Sequence, residues 1–90
     1  FMPTAQLVII NRLGLHARAA AKFVQTAAHY GCDVALSKGG KKVNGKSIMG
    51  VMMLAAARGA EIEICTSGAD EQAALDALTA LIADKFGEPS

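Results

Sequence analysis

The residues best suited to chemistry lie together in Gly14-Leu15-His16-Ala17-Arg18. Glycine marks a loop, and from Ala17 onward Ala20, Phe23, Val24 and Ala27 recur at helical spacing. His16 therefore stands where a loop becomes a helix. The first amides of a helix lack an intrahelical acceptor, and the aligned peptide dipoles favour negative charge beside them. A neutral imidazole is nucleophilic near pH 7, and its phosphoramidate is labile enough to be handed on. A phosphoryl group on His16 would meet the backbone amides of Ala17 and Arg18, with the planar Arg18 guanidinium beside them. Gly14 lets the loop approach without a Cβ. The same spacing also suits an ordinary surface histidine at a helix start, so by itself it leaves both readings open.

Farther along, Ser47 precedes Ile48, Met49, Val51, Met52 and Leu54, a short helical pattern weakened by Gly50. The Ser47 hydroxyl can accept a backbone N–H as the helix cap. Met49, Met52 and Met53 cannot all face inward on so short a helix. Packing in the core is the commoner fate of methionines, and those left outside would form an apolar patch suited to brief docking. Gly40-Lys41-Lys42-Val43-Asn44-Gly45-Lys46-Ser47 also satisfies the P-loop spelling GxxxxGK[ST]. Ninety residues leave little room for a nucleotidase sheet, and the later strand ends without an aspartate for magnesium, so nucleotide binding ranks last.

Other polar residues point to structure. His29, at the end of the first helix, suits the negative end of the dipole. Glu61 and Glu63 share the wet face of a strand, and Asp70 with Glu71 marks a helix start, so no carboxylate pair is poised for acid–base work. Cys32 and Cys65 have neither metal-ligand spacing nor a CxxC pairing and read as buried free thiols. No metal site or cofactor is expected.

A net charge of +1 and 4% aromatic residues argue against nucleic-acid binding. Lys38, Lys41, Lys42 and Lys46 form a local basic patch, read as a solvated hairpin tip or as a steer for anionic partners. No apolar run approaches the roughly 20 residues of a membrane span, and no signal-peptide pattern opens the chain, so a cytoplasmic location is expected.

These side chains need a scaffold, and the 52% hydrophobic content can build one modest core. Gln6 to Ile10 reads as a first strand, and Gly31 as the cap ending the first helix. Asp33 to Ser37, a Gly39-Gly40 turn and about Lys41 to Val43 read as a hairpin. The Ser47-capped helix follows, then a strand from Glu61 to Thr66. The last helix is capped by Asp70, with Leu75, Leu78, Leu81 and Ile82 inward and Lys85 and Gly87 as stop signals. The expected fold is α+β: a two-layer open-faced sandwich, βαββαβα, with three helices on one face of a four-stranded, mainly antiparallel sheet. Residues 1–90 form a single domain, with 1–4 and 87–90 as loose ends.

Asn11-Arg12-Leu13-Gly14-Leu15-His16-Ala17-Arg18-Ala19-Ala20 resembles the active-site segment of the HPr family, the histidine-containing phosphocarriers of the bacterial phosphotransferase system. Lys46-Ser47-Ile48-Met49-Gly50-Val51-Met52 resembles that family's second signature, and βαββαβα is the family's order. The resemblance implies that His16 accepts phosphate through Nδ1 from Enzyme I and gives it to EIIA-type proteins, with Arg18 as the active-site arginine. It implies that Ser47 is the site modified by HPr kinase/phosphorylase, and that Ala21, Lys22, Ile48, Met49 and Met52 meet partners. Such a chain is a monomeric carrier, a substrate and donor for enzymes rather than an enzyme. Sugar uptake is the favoured pathway. A nitrogen-branch carrier, or a regulatory module switched at Ser47, is the alternative. Ala19 stands where the family usually has proline, which removes a preset for the first helical turn.

Overall fold

The computed structural model describes residues 2–90; Phe1, part of the expected loose end, lies outside them. Alternating burial along the strands and apolar stripes along the helices produce seven main elements. They are β1 (Thr4–Val8), α1 (Ala17–Ala28), β2 (Asp33–Lys38), β3 (Lys41–Asn44), α2 (Ile48–Met53), β4 (Glu61–Ser67) and α3 (Glu71–Ala83). The strands form one sheet in the order β1-β4-β2-β3, with every neighbouring pair antiparallel. The expected βαββαβα sandwich is the observed fold.

The core lies between sheet and helices. Val34, Leu36, Ile62 and Ile64 meet Ala20, Phe23 and Ala27 of α1, Val51 of α2, and Leu75, Leu78 and Ile82 of α3. Leu81 is only half-buried. The other sheet face is wet, carrying Gln6, Glu61 and Glu63. Cys65 lies on that face beside Glu63 and is half-buried, so only Cys32 fits the expectation of a buried thiol. Gly39 and Gly40 turn the β2–β3 hairpin with φ of +56° and +83°, which glycine adopts without strain. Among the described residues, no helix is long and apolar enough to cross a membrane.

Several expectations need correction. β1 begins and ends two residues early, because Ile9 leaves the strand to become fully buried. Its amide donates to the Ala60 carbonyl (2.9 Å), and its own carbonyl accepts from Gly59 (2.7 Å). The start is not loose from residue 3 onward: Pro3 is buried, and its carbonyl accepts the Thr66 amide. Gly31 is not a left-handed helix stop; α1 ends at the His29 cap, and the Gly31 amide donates to the Asp70 carboxylate (2.8 Å). Asp70 does occupy the cap position of α3, but its side chain serves the amides of Gly31 and Cys32 instead. Glu71 takes over locally, accepting from the Gly68 amide.

The largest correction is at the C-terminal end. Lys85, Phe86 and Gly87 are all left-handed, with φ of +56°, +56° and +77°. This turn seats Phe86 in the core and sends the chain back across α1. Residues 87–90 are therefore not loose: Glu88 bonds to Asn11 and His16, and the Ser90 carbonyl accepts the Arg12 amide (3.0 Å).

Candidate functional site

The loop between β1 and α1 is held from both sides. Gly14 has φ +67°, and a Cβ there would lie 2.5 Å from the Ala56 carbonyl oxygen. The next amide, Leu15, donates to that same oxygen (2.9 Å), and the Leu15 side chain is buried. Asn11 is fully buried; its amide nitrogen donates to the Gly14 carbonyl and to Glu88 Oε1, each at 2.9 Å. Chain ends and loops far apart in sequence thus fix the segment that presents His16.

His16 is the N-cap residue of α1, with extended backbone (φ −69°, ψ 176°) and no capping bond from its side chain. Its carbonyl accepts the Ala20 amide, which opens the helix. Among the described residues, the amides of Ala17, Arg18 and Ala19 have no backbone acceptor, as expected for the first helical turn. The imidazole is partly exposed, and its Nε2 lies 2.5 Å from Glu88 Oε2. The Asn11 amide, and then the His16 ring, hold the Glu88 carboxyl below the usual carboxylate range against the opposing effect of burial. An ionised carboxylate can only accept, so Nε2 carries the proton in this contact. Nδ1 has no hydrogen-bond partner among the described residues.

His16 opens into a cleft of about 530 Å³ lined by Arg12, Leu13, Ala17, Arg18, Glu88 and Pro89. Arg12 and Arg18 are exposed, and among the described residues neither pairs with a carboxylate. The cleft thus combines a nucleophilic ring, unsatisfied helix amides and two free guanidinium groups, a set that suits an anion. A second cleft of similar size crosses the wet sheet face by Lys38, Glu61 and Glu63 and holds no such nucleophile.

The second signature is placed as a capped helix. Ser47 Oγ accepts the Gly50 amide (3.0 Å) and remains half-exposed. Ile48, Met49, Met52 and Met53 are all exposed, Met49 by 73%, so the methionines are not core residues. Val51 alone of α2 is buried, because a six-residue helix lying on α1 has one inward position to offer. Ala21 is half-buried on α1, and Lys22 directs its ammonium to the Phe86 carbonyl (2.6 Å). The P-loop spelling is folded largely as strand β3, and Lys46 bonds the Tyr30 carbonyl (2.6 Å), so that lysine cradles no phosphate. Lys38 and Lys41 reach the carbonyls at the end of α2, leaving less of the basic patch free than its sequence suggests.

Asn11, Arg12 and Glu88 join the site without having been singled out as functional. The first two lie inside the motif already quoted, while Glu88 carries no local signal, being 72 positions from its partner.

Comparison with known proteins agrees with this geometry. Residues 3–84 match the family model described as PTS HPr component phosphorylation site. The phosphocarrier protein HPr of Cupriavidus necator is 58% identical over 80 residues, covering 89% of this chain and 90% of that protein. A crystal structure of an HPr from Thermoanaerobacter tengcongensis superposes with a TM-score of 0.96 at 45% identity, covering 99% of this chain and 100% of that one. An HPr dimer from the same organism gives 0.78 at 48% identity, covering 91% and 94%. The chain belongs to the HPr family, the phosphocarriers of the phosphotransferase system.

Proposed function

We propose that His16 Nδ1 accepts a phosphoryl group from Enzyme I and passes it to EIIA-type proteins, in the service of sugar uptake. The observation that carries this reading is the site itself: a partly exposed imidazole with Nε2 engaged, standing before three unsatisfied helix amides and the unpaired Arg18. The amides of Ala17 and Arg18 receive the phosphoryl oxygens, and the Arg18 guanidinium adds charge-assisted bonds. Partial exposure keeps this stabilisation modest, and a carrier must release its cargo. The chain is a substrate and donor rather than a catalyst, and it acts in the cytoplasm as a single domain.

Docking uses Ile48, Met49 and Met52, with Ala21 and the stem of Lys22 beside them on α1. Ser47 is the position where HPr kinase/phosphorylase would add a second, regulatory phosphate; its half-exposed hydroxyl favours this reading. The carrier works as a monomer, leaving α1 and α2 free for successive partners. Light scattering on the purified chain checks this, and a dimer of the kind solved for a relative would refute it.

Incubation with phosphoenolpyruvate and Enzyme I tests the central claim. One acid-labile phosphate per chain is expected, absent in His16→Ala. A label that survives the substitution moves the chemistry elsewhere.

A further inference from the structure

We propose that Glu88 is a positioning residue for phosphoryl transfer, acting through His16 Nε2; this rests on the carrier reading of His16. Glu88 Oε2 faces Nε2 at 2.5 Å, while Oε1 is anchored by the buried Asn11 amide. The left-handed turn at residues 85–87 and the buried Phe86 aim the carboxylate, so its place is set by the core rather than by a mobile end.

Holding the proton on Nε2 leaves the Nδ1 lone pair free to attack phosphorus. As the N–P bond forms, the bond from phosphorus to the donor atom breaks, and its electron pair leaves with the donor. His16 loses no proton. The ring becomes a phosphoimidazolium whose positive charge is shared with Nε2–H, where the Glu88 carboxylate stabilises it. That cation is the better leaving group for onward transfer, because the departing ring is then neutral imidazole. Other charges around the ring are those of Arg12 in the loop and Arg18 on α1. Lys22, also on α1, acts on Glu88 from the tail side.

Glu88→Gln removes the charge with little change of shape, Glu88→Asp keeps it, and Glu88→Ala removes the group. All three chains should still reach full phosphorylation on His16. In the Gln and Ala variants, uptake from Enzyme I, the step in which positive charge develops on the ring, should slow about tenfold, the scale of one charge-assisted hydrogen bond at a partly exposed site. The alkaline limb of the pH profile for onward transfer should move to lower pH, as the phosphoimidazolium gives up its proton more readily. Glu88→Asp should recover part of both effects. Nitrogen-15 NMR of the unphosphorylated chain should find the proton on Nε2 in the wild type and shared between Nε2 and Nδ1 in Glu88→Ala. Wild-type rates, profile and tautomer in the Gln and Ala variants would overturn the proposal. Failure of the wild type itself to accept phosphate would instead overturn the carrier reading, and the NMR measurement would still decide what Glu88 does to the ring.

Discussion

Gly14 and Ala56 are in direct backbone contact: the space where Gly14 would carry a Cβ is taken by the Ala56 carbonyl oxygen, 2.5 Å away. The loop before His16 is thereby pressed against the segment that follows α2. Gly14→Ala meets two penalties, a backbone clash and a left-handed φ, and should destabilise the domain by about 2–4 kcal/mol. Denaturant unfolding measures the loss. Phosphoryl uptake from Enzyme I should fall as well, even at temperatures where the variant stays folded.

Phe86 is 1% exposed and is among the largest fully buried side chains. Phe86→Ala should cost about 3–5 kcal/mol, and Phe86→Leu, with much of the volume kept, less than half of that. Thermal unfolding separates the two. The milder variant should also loosen Glu88, seen as faster amide exchange at residues 88–90.

Ser47→Ala removes the side-chain cap at the start of a six-residue helix and should cost about 1 kcal/mol. Ser47→Asp keeps an acceptor at the cap, so its stability should change by only a few tenths of a kcal/mol. Its added negative charge beside Ile48 and Met49 should weaken Enzyme I binding. Unfolding and titration calorimetry on both variants check this; equal binding by Ser47→Asp and the wild type would count against a regulatory role for the site.

Acid should weaken the fold in a defined direction. The Gly31 amide, with help from Cys32, holds the Asp70 carboxyl low, and the Asn11 amide, with help from His16, holds Glu88 low. The unfolded chain therefore takes up these protons first as pH falls. The stability both groups add is complete above the ordinary carboxylate range of about 4 and fades as pH drops through and below it. Melting temperatures at about pH 7, 5, 4 and 3 should decline most over the last two steps. Asp70→Asn should melt lower at neutral pH yet lose less on acidification.

Local patterns made most of the scaffold legible. Strict alternation over Glu61 to Thr66 declared β4, paired glycines declared the hairpin turn, and Ser47 before an apolar helical run declared α2. His16 was legible because a loop glycine and a helix start bracket it, and the family motif supplied the chemistry. What failed was long-range. Asp70 has the right residue type for a cap, yet two amides 38 and 39 positions away take its carboxylate. Nothing near Lys85-Phe86-Gly87 announces three left-handed residues in a row; the turn exists because the core accepts Phe86. Glu88 reached the site by the same route. The methionines went the other way, since two turns of helix cannot bury four large apolar side chains.

Helix α2 is too short to hold itself in water, and the structure clamps it at both ends. Ser47 closes its start, while Lys38 and Lys41, on either side of the β2–β3 turn, grip the final carbonyls of Met53, Leu54 and Ala55. The hairpin tip is thus a brace for a rod that displays its methionines to visitors. Neutralising those lysines would leave every exposed thioether in place and slacken the platform beneath them.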